Sequence, residues 1–500
     1  LRLAAFGATF EVAGGWVDKC YVSFSCVEDE DVFPAKGLRK GPADGRGMDE
    51  LKGKIAKSID GYVRELREFI SFPTISAEGK AIPETADFVS NKLDSMGFRT
   101  HRLTLPDAPP LIIADLEGES RRTLVFYNHY DVQPVDPLNE WTVEPFGGEI
   151  KDGKMFGRGV ADDKGDLMAR IHAVELLLSK GGSLPVSVKF VTEGEEEIGS
   201  PHLHEFVRRH GDRMKGDICI WEGSDLSSDG RPQFYLGAKG LLYIEMTLET
   251  ASLDLHSMYA AVAPNPAWRL IWALNHFKDE TGKVLIPGFY DDIVPPTREE
   301  LERTDLNDFD AGAYGRTLGA KELLRPSPGS TTARDTVFAP TCNIAGFVSG
   351  YGGPGSKTVL PRKVMVKVDF RLVPNQDPDK IFLAVRRYLD ALGCADVQLR
   401  SYSSELPGRT PLDTPFLAPL IAASQEVYGM APSVWPSMAA TGPISLFINE
   451  LKVPSVLTPS VAYLGSGYHA PNEHIMAADY PRAIEFFARS IERLASAGAR

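Results

Sequence analysis

From Met48 onward apolar residues recur at helical spacing: Leu51, Ile55, Ile59, Tyr62, Val63, Leu66 and Ile70 mark one face of an amphipathic helix over about 49–70. Helices are also predicted over 84–96, closed by Gly97, over 164–180, closed by Gly181-Gly182, and over 201–210. Short apolar runs over 111–117, 123–128, 186–192 and 217–221 read as buried strands. Strands interleaved with helices imply an α/β unit with parallel pairing. After Gly240 the period changes, because Leu242, Ile244, Met246 and Leu248 alternate with polar positions. That is a strand with one side solvated or paired to another chain. A helix (266–278), strands near 343–349 and 363–372, a helix (377–393) and a strand (396–401) follow. Leaving aside an insertion from about 280 to 340, the order is βαββαβ, which is ferredoxin-like. Long helices return at Thr414 to Tyr428 and Ala478 to Ala497, with the strand-like Val453 to Leu457 between them.

If His469 joins residues of the first half as a ligand, the last segment packs back on that half, and an α/β catalytic domain in two parts, 48–237 and 403–500, is interrupted by an α+β domain over 238–402. The first 47 residues stand apart. They lack a continuous apolar segment, carry the acidic run Glu28-Asp29-Glu30-Asp31 and end in a Gly/Lys/Arg-rich stretch, so a secretory signal is not expected. Residues 1–47 are read as a disordered or non-native leader, with Met48 as the natural start.

Composition narrows the function. The 500 residues, 43% hydrophobic, suffice for two cores. A net charge of −14 leaves no basic footprint for nucleic acid, and no apolar run is long enough to cross a membrane. Cys20, Cys26, Cys219, Cys342 and Cys394 show no CxxC spacing, which suits a reduced, cytoplasmic setting.

The chemistry sits at the strand ends. His129 and Asp131 follow the run Thr123 to Phe126, and residues two apart on a strand point the same way. The carboxylate is placed to accept the spare ring N–H and leave the other nitrogen for a metal. Asp162 lies between a Gly-rich turn and a helix, Glu196 and Glu197 follow one strand, and Glu222 follows another. Open α/β sheets place their sites at such carboxyl ends. With a late His469, these residues make a set of two imidazoles and three carboxylates without thiolate, plus one spare glutamate. Two divalent ions need a bridging carboxylate and, for hydrolysis, a proton acceptor that is not itself a ligand. Zinc is favoured, with manganese or cobalt as alternatives.

Several motifs in order resemble the M20 metallopeptidases, and within them the carnosinase-like cytosolic dipeptidases: Tyr127 to Pro134, Phe156 to Gly165, Glu193 to Ser200, Thr341 to Gly346, Lys357 to Pro374 and His469 to Ile475. The resemblance implies that His129 and Glu222 ligate separate metals, with Glu197 and His469 as the other terminal ligands. It also implies that Asp162 bridges both ions, through a cis Asp162–Asp163 peptide, and that Glu196 is the base. The inserted domain would be a lid carrying a homodimer interface. In it, His256 would reach the partner's site and stabilise the oxyanion, and Asn343, Thr358 and Arg371 would hold substrate. A guanidinium at Arg371 can take a carboxylate bidentately, although a strand-face ion pair is the alternative.

The sequence departs from that family pattern in two places. Met258 stands where glycine commonly follows the His-Ser pair, and Ala439-Ala440-Thr441-Gly442-Pro443 replaces an Arg-Glu-Gly-Gly-Ser type of loop that contributes, here through Gly442, to the substrate pocket. Dipeptide hydrolysis leads. N-acyl-amino-acid deacylation, of the acetylornithine or succinyl-diaminopimelate type, is the alternative, and a non-hydrolysing peptide-binding metal dimer is a reading from another class. Gly350 to Lys357 is read as a connection between strands and not a phosphate loop, since no helix pattern follows it.

Overall fold

A computed structural model describes residues 45–496, so the leader expected over 1–47 lies almost wholly outside the described residues. Helix α1 (Gly45–Ile70) buries Leu51, Ile55, Tyr62, Leu66 and Ile70, the stripe seen in the sequence. It is followed by α2 (Ile82–Ser95), β1 (Arg99–Leu103), β2 (Leu111–Leu116), β3 (Ser120–His129), α3 (Lys164–Gly181), β4 (Val186–Glu193), α4 (Leu203–Met214), β5 (Ile218–Leu226) and β6 (Gln233–Tyr235). Next come β7 (Gly240–Glu249), α5 (Pro266–Asn275), three short helices α6 (Arg298–Asp305), α7 (Ala311–Thr317) and α8 (Thr332–Phe338), then β8 (Thr341–Ser349), β9 (Lys363–Leu372), α9 (Pro378–Ala391) and β10 (Gln398–Glu405). The chain closes with α10 (Leu417–Tyr428), β11 (Ser433–Trp435), β12 (Ser455–Tyr463) and α11 (Asp479–Ser496).

The eight-stranded sheet has the order β1-β2-β4-β3-β5-β12-β6-β11. β3 pairs in parallel with β4 and β5, and β5 pairs in parallel with β12, so four strands of different origin end on one side. Their fully buried apolar runs suit a sheet covered on both faces. The four-stranded sheet is antiparallel in the order β8-β9-β7-β10, the ferredoxin-like arrangement, with Leu242, Ile244, Met246, Leu248, Val364, Val366 and Val368 in a core shared with α5 and α9. The architecture is α/β with an inserted α+β unit, as the periodicity predicted.

The segment left aside in the sequence divides: Val284, Ile286 and Phe289 join the core of the four-stranded sheet, while later residues pack against the edge of the eight-stranded one. Asn307 brackets the edge strand β11, with Nδ2 donating to the Val434 carbonyl at 2.8 Å and Oδ1 accepting from the Val434 amide at 2.9 Å. Ala333 and Val337 of α8 pack with Trp435 of β11. Among the described residues no helix is long and apolar enough to cross a membrane.

Candidate metal centre

His129 ends β3 with no exposure. Its Nε2 lies 3.0 Å from Asp162 Oδ1, and its Nδ1 lies 3.1 Å from the carbonyl oxygen of Asp131. The Asp131 carboxylate is farther, at 3.4 Å, because it is engaged elsewhere: its two oxygens accept the backbone N–H groups of Glu196 and Glu197 at 3.2 and 3.1 Å. Asp131 thus fixes the turn after β4 as well as standing beside the imidazole.

Asp162 faces a second imidazole. Its Oδ2 lies 3.1 Å from Nε2 of His469, whose same nitrogen is 3.1 Å from Glu197 Oε2. His469 sits at φ 58°, a left-handed conformation that a non-glycine residue holds only where its surroundings impose it. The Asp162–Asp163 peptide is cis, as the resemblance implied. On the other side of Asp162, donor atoms of His129, Glu196 and Glu222 lie within 4.8 Å of one another, and so do those of His129, Asp162 and Glu197. All five expected ligands and Glu196 are therefore brought together: His129 at the end of β3, Glu196 and Glu197 in the turn after β4, Glu222 inside β5 where its register shifts, Asp162 in the turn before α3, and His469 in a late loop.

The supporting contacts were not read from the sequence. Glu473, fully buried, accepts from Arg158 Nη1 at 2.7 Å and from the backbone N–H groups of Gly159, Ala161 and Asp162 at 3.0, 2.9 and 3.1 Å. It stitches the loop after His469 to the loop carrying Asp162. Gly159 in that turn has φ 85°, and an added Cβ would come within 2.5 Å of Val132. Buried Arg170 donates to the carbonyls of Tyr127 and Trp221, both at 2.7 Å, tying the ends of β3 and β5. The signals were present, since an Arg inside an apolar helix pattern and a Glu near a candidate ligand both need partners when buried.

Electrostatics tests whether these residues fit metal ions. Burial, with repulsion from Asp162 and Glu197 and some relief from His129, pushes Glu196 up to about 8. Burial and the neighbouring Glu196 push Glu222 well above the usual carboxylate range, and its Oε1 is buried without a hydrogen-bond partner. Burial alone would raise Asp162, but the two imidazoles hold it well below that range. The contacts with Asp162 and then Glu197 raise His469 to about 10. Clustered carboxylates that repel one another, an orphaned acceptor and imidazoles with a carboxylate between them are a donor set suited to divalent cations. A second cluster, Glu65, His172 and Glu175, is different. Lys92 Nζ already lies 2.7 and 2.6 Å from its two carboxylates, so an ammonium supplies the positive charge there.

The other expected residues lie around the four-stranded sheet. His256 is exposed, accepts the Met258 amide at Nδ1 (3.1 Å) and meets Thr358 Oγ1 at 3.4 Å through Nε2, so these two expected residues are neighbours. Arg371 on β9 donates to Thr441 Oγ1 at 2.6 Å, which brings it beside Gly442 in the variant loop. Among the described residues it forms no ion pair with a carboxylate, in contrast to the strand-face alternative. Asn343 is exposed and donates to Asp369 at 2.8 Å.

The sequence pattern of peptidase family M20/M25/M40 matches residues 125–493, which include every residue of this centre. The chain belongs to that family. It is 27% identical over 477 residues to a Cys-Gly metallodipeptidase of Schizosaccharomyces pombe, covering 90% of this chain and 98% of that protein. To the Beta-Ala-His dipeptidase of Homo sapiens it is 28% identical, covering 86% and 89%. Among solved structures, an M20 family metallo-carboxypeptidase, Sso-CP2 from Sulfolobus solfataricus, superposes with TM-score 0.82 at 38% identity, covering 87% of this chain and 99% of that one. Human carnosine dipeptidase 1 superposes with TM-score 0.71 at 26% identity, covering 90% and 100%.

Proposed function

We propose that this M20 peptidase is a dinuclear metal-dependent hydrolase of the amide bond in dipeptides or short peptides with a free C-terminal carboxylate. Relatives named as dipeptidases and a metallo-carboxypeptidase support that substrate class. We read His129 and Glu222, whose donor atoms lie close together, as serving one ion, and Glu197 and His469, 3.1 Å apart, as serving the other, with Asp162 between them; the resemblance put His129 and Glu222 on separate ions. When bound, such ions polarise the amide carbonyl and acidify water, and zinc suits the N/O set, with manganese or cobalt as alternatives.

The observation that carries the reading is the division of labour between two adjacent carboxylates. Glu197 is held by Gln133 and His469, while among the described residues the Glu196 carboxylate accepts no hydrogen bond. Glu196 is thus free to take the proton of an attacking water and return it to the leaving amine. Arg371 holds the substrate carboxylate beside Gly442, with Asn343 on the same sheet and Thr358 beside His256. His256 acts on the oxyanion in the partner's site.

The last role requires a homodimer. Supporting it, edge strand β8 exposes Ile344 (52%), Phe347 (42%) and Val348 (61%), and α5 exposes the stacked Trp268 and Trp272. Residues 48–237 and 403–500 form the catalytic domain in this reading, and 238–402 the lid. Free, buried Cys219, Cys342 and Cys394 support a cytoplasmic setting. Because the Ala439–Pro443 loop is its own, N-acyl-amino-acid deacylation is the second reading. Released amine from matched dipeptides and acyl-amino acids, with zinc and manganese supplied separately, distinguishes them. Turnover of neither series would leave the non-hydrolysing peptide-binding dimer.

A further inference from the structure

Arg371 is not the only cation at the variant loop. Lys239 lies between β6 and β7, is 3% exposed, and its backbone N–H donates to the Ala440 carbonyl at 3.0 Å. Thr441, the next residue of that loop, accepts from Arg371 and donates to the carbonyl of Gly240, which follows Lys239, at 3.2 Å. Pairing of β7 with β9 sets Arg371 opposite Leu241. The two cationic side chains are near enough for Arg371 to depress Lys239, which burial, first, and that repulsion bring down to about 8.

Among the described residues neither cation forms an ion pair with a carboxylate. The Lys239 ammonium donates to one carbonyl, Ala339, at 2.7 Å, and Asp335 interacts with it only at a distance. A buried ammonium set beside a second cation, with no ion pair, is costly unless a ligand brings negative charge. Space is available, since nothing lies within 4 Å of where a Cβ on Gly442 would be. Thr441 directs Arg371 through a single hydroxyl, which leaves the rest of the guanidinium for a carboxylate.

We propose that Lys239 is a specificity-determining residue that, with Arg371, forms a two-cation subsite for a leaving residue with two carboxylates, so that peptides or acyl-amino acids ending in Asp or Glu are preferred. The C-terminal carboxylate meets Arg371 and the side-chain carboxylate meets Lys239. This rests on the reading of Arg371 as the carboxylate anchor.

The test compares kcat/KM for alanyl-glutamate with that for isosteric alanyl-glutamine on each metal-loaded protein, so that the ratio is independent of how much enzyme is folded. Wild type is expected to favour alanyl-glutamate by about tenfold, the scale of one charge-assisted hydrogen bond. Lys239→Met should bring the ratio close to one and Lys239→Arg should retain it. A wild-type ratio near one, or a ratio kept in Lys239→Met, overturns the proposal. If Lys239→Met does not fold, inhibition of wild type by free glutamate against glutamine decides, and equal inhibition overturns it. Arg371→Met is read separately. An unchanged KM for both peptides would remove the carboxylate anchor, and a glutamate preference lost with Lys239 would still stand.

Discussion

The side-chain amide of Gln133 holds Glu197 at two points, donating to its carboxylate Oε2 at 2.9 Å and to its carbonyl oxygen at 3.0 Å. One amide thus sets both the backbone and the carboxylate of a single ligand, and Glu196 next to it is untouched. Replacing Gln133 with Leu is expected to weaken binding of one metal ion by about 10- to 100-fold, the usual effect of losing a group that orients a ligand. Titrating metal into the chelated variant would show one weakened site and one unchanged site. Equal weakening of both would mean that Gln133 supports the fold around the centre and not Glu197 itself.

Glu196→Gln should abolish turnover while both ions remain, because a proton acceptor is lost and no ligand is. Glu197→Gln should lose one ion. Elemental analysis beside a peptide assay checks both, and the reverse pattern would exchange the two assignments.

How much of this was legible beforehand follows from where each residue sits. His129, Glu197 and Glu222 could be read because apolar runs stop abruptly at or just before them, although β5 runs on past Glu222 to Leu226. Strand β1, Arg99 to Leu103, could not, since it is a partly exposed strand with one aliphatic residue. Helix α6 leaves no periodic signal, because its buried residues are Glu300 and Thr304 and not apolar ones. It is started by a reciprocal cap, Thr297 with Glu300, which is a local hydrogen-bond device and not a periodic one. Glu473, Arg170 and the grouping of Glu222 with His129 depend on the sheet order, which no local pattern contains.

Acid should loosen the α1–α3 contact by a calculable sign. Hydrogen bonding to His172, opposed by burial and helped by Lys92, lowers Glu65 to about 2, below its ordinary 4.5. A depressed carboxylate stabilises the fold fully above the ordinary value and loses that contribution as pH falls from 4.5 toward 2. The melting temperature of Glu65→Gln should therefore lie below that of the wild type at neutral pH, and the gap should narrow as pH falls through this window. A constant gap would assign the difference to packing.

If His256 acts across a dimer while Glu196 acts within its own subunit, His256→Ala and Glu196→Gln should each be nearly inactive, since one lost oxyanion donor costs about 10²–10³ in rate. A mixed dimer has one site with both lesions and one with neither. Random exchange makes about half the dimers mixed, so roughly a quarter of wild-type activity should return. Recovery near zero, with exchange verified by mass, would place His256 in its own subunit's site or outside catalysis.

The four hydrogen bonds of Glu473 also order events in time. The loop of Asp162 and the guanidinium of Arg158 await an acceptor that the ribosome delivers only near the end of synthesis, together with His469. A nascent chain can form β3, β4 and β5 and present three of the proposed ligands early, yet it has neither the second imidazole nor the buttress for Asp162, the carboxylate proposed to bridge the ions. Tight capture of a metal pair is thereby reserved for a chain whose last helix is already being made.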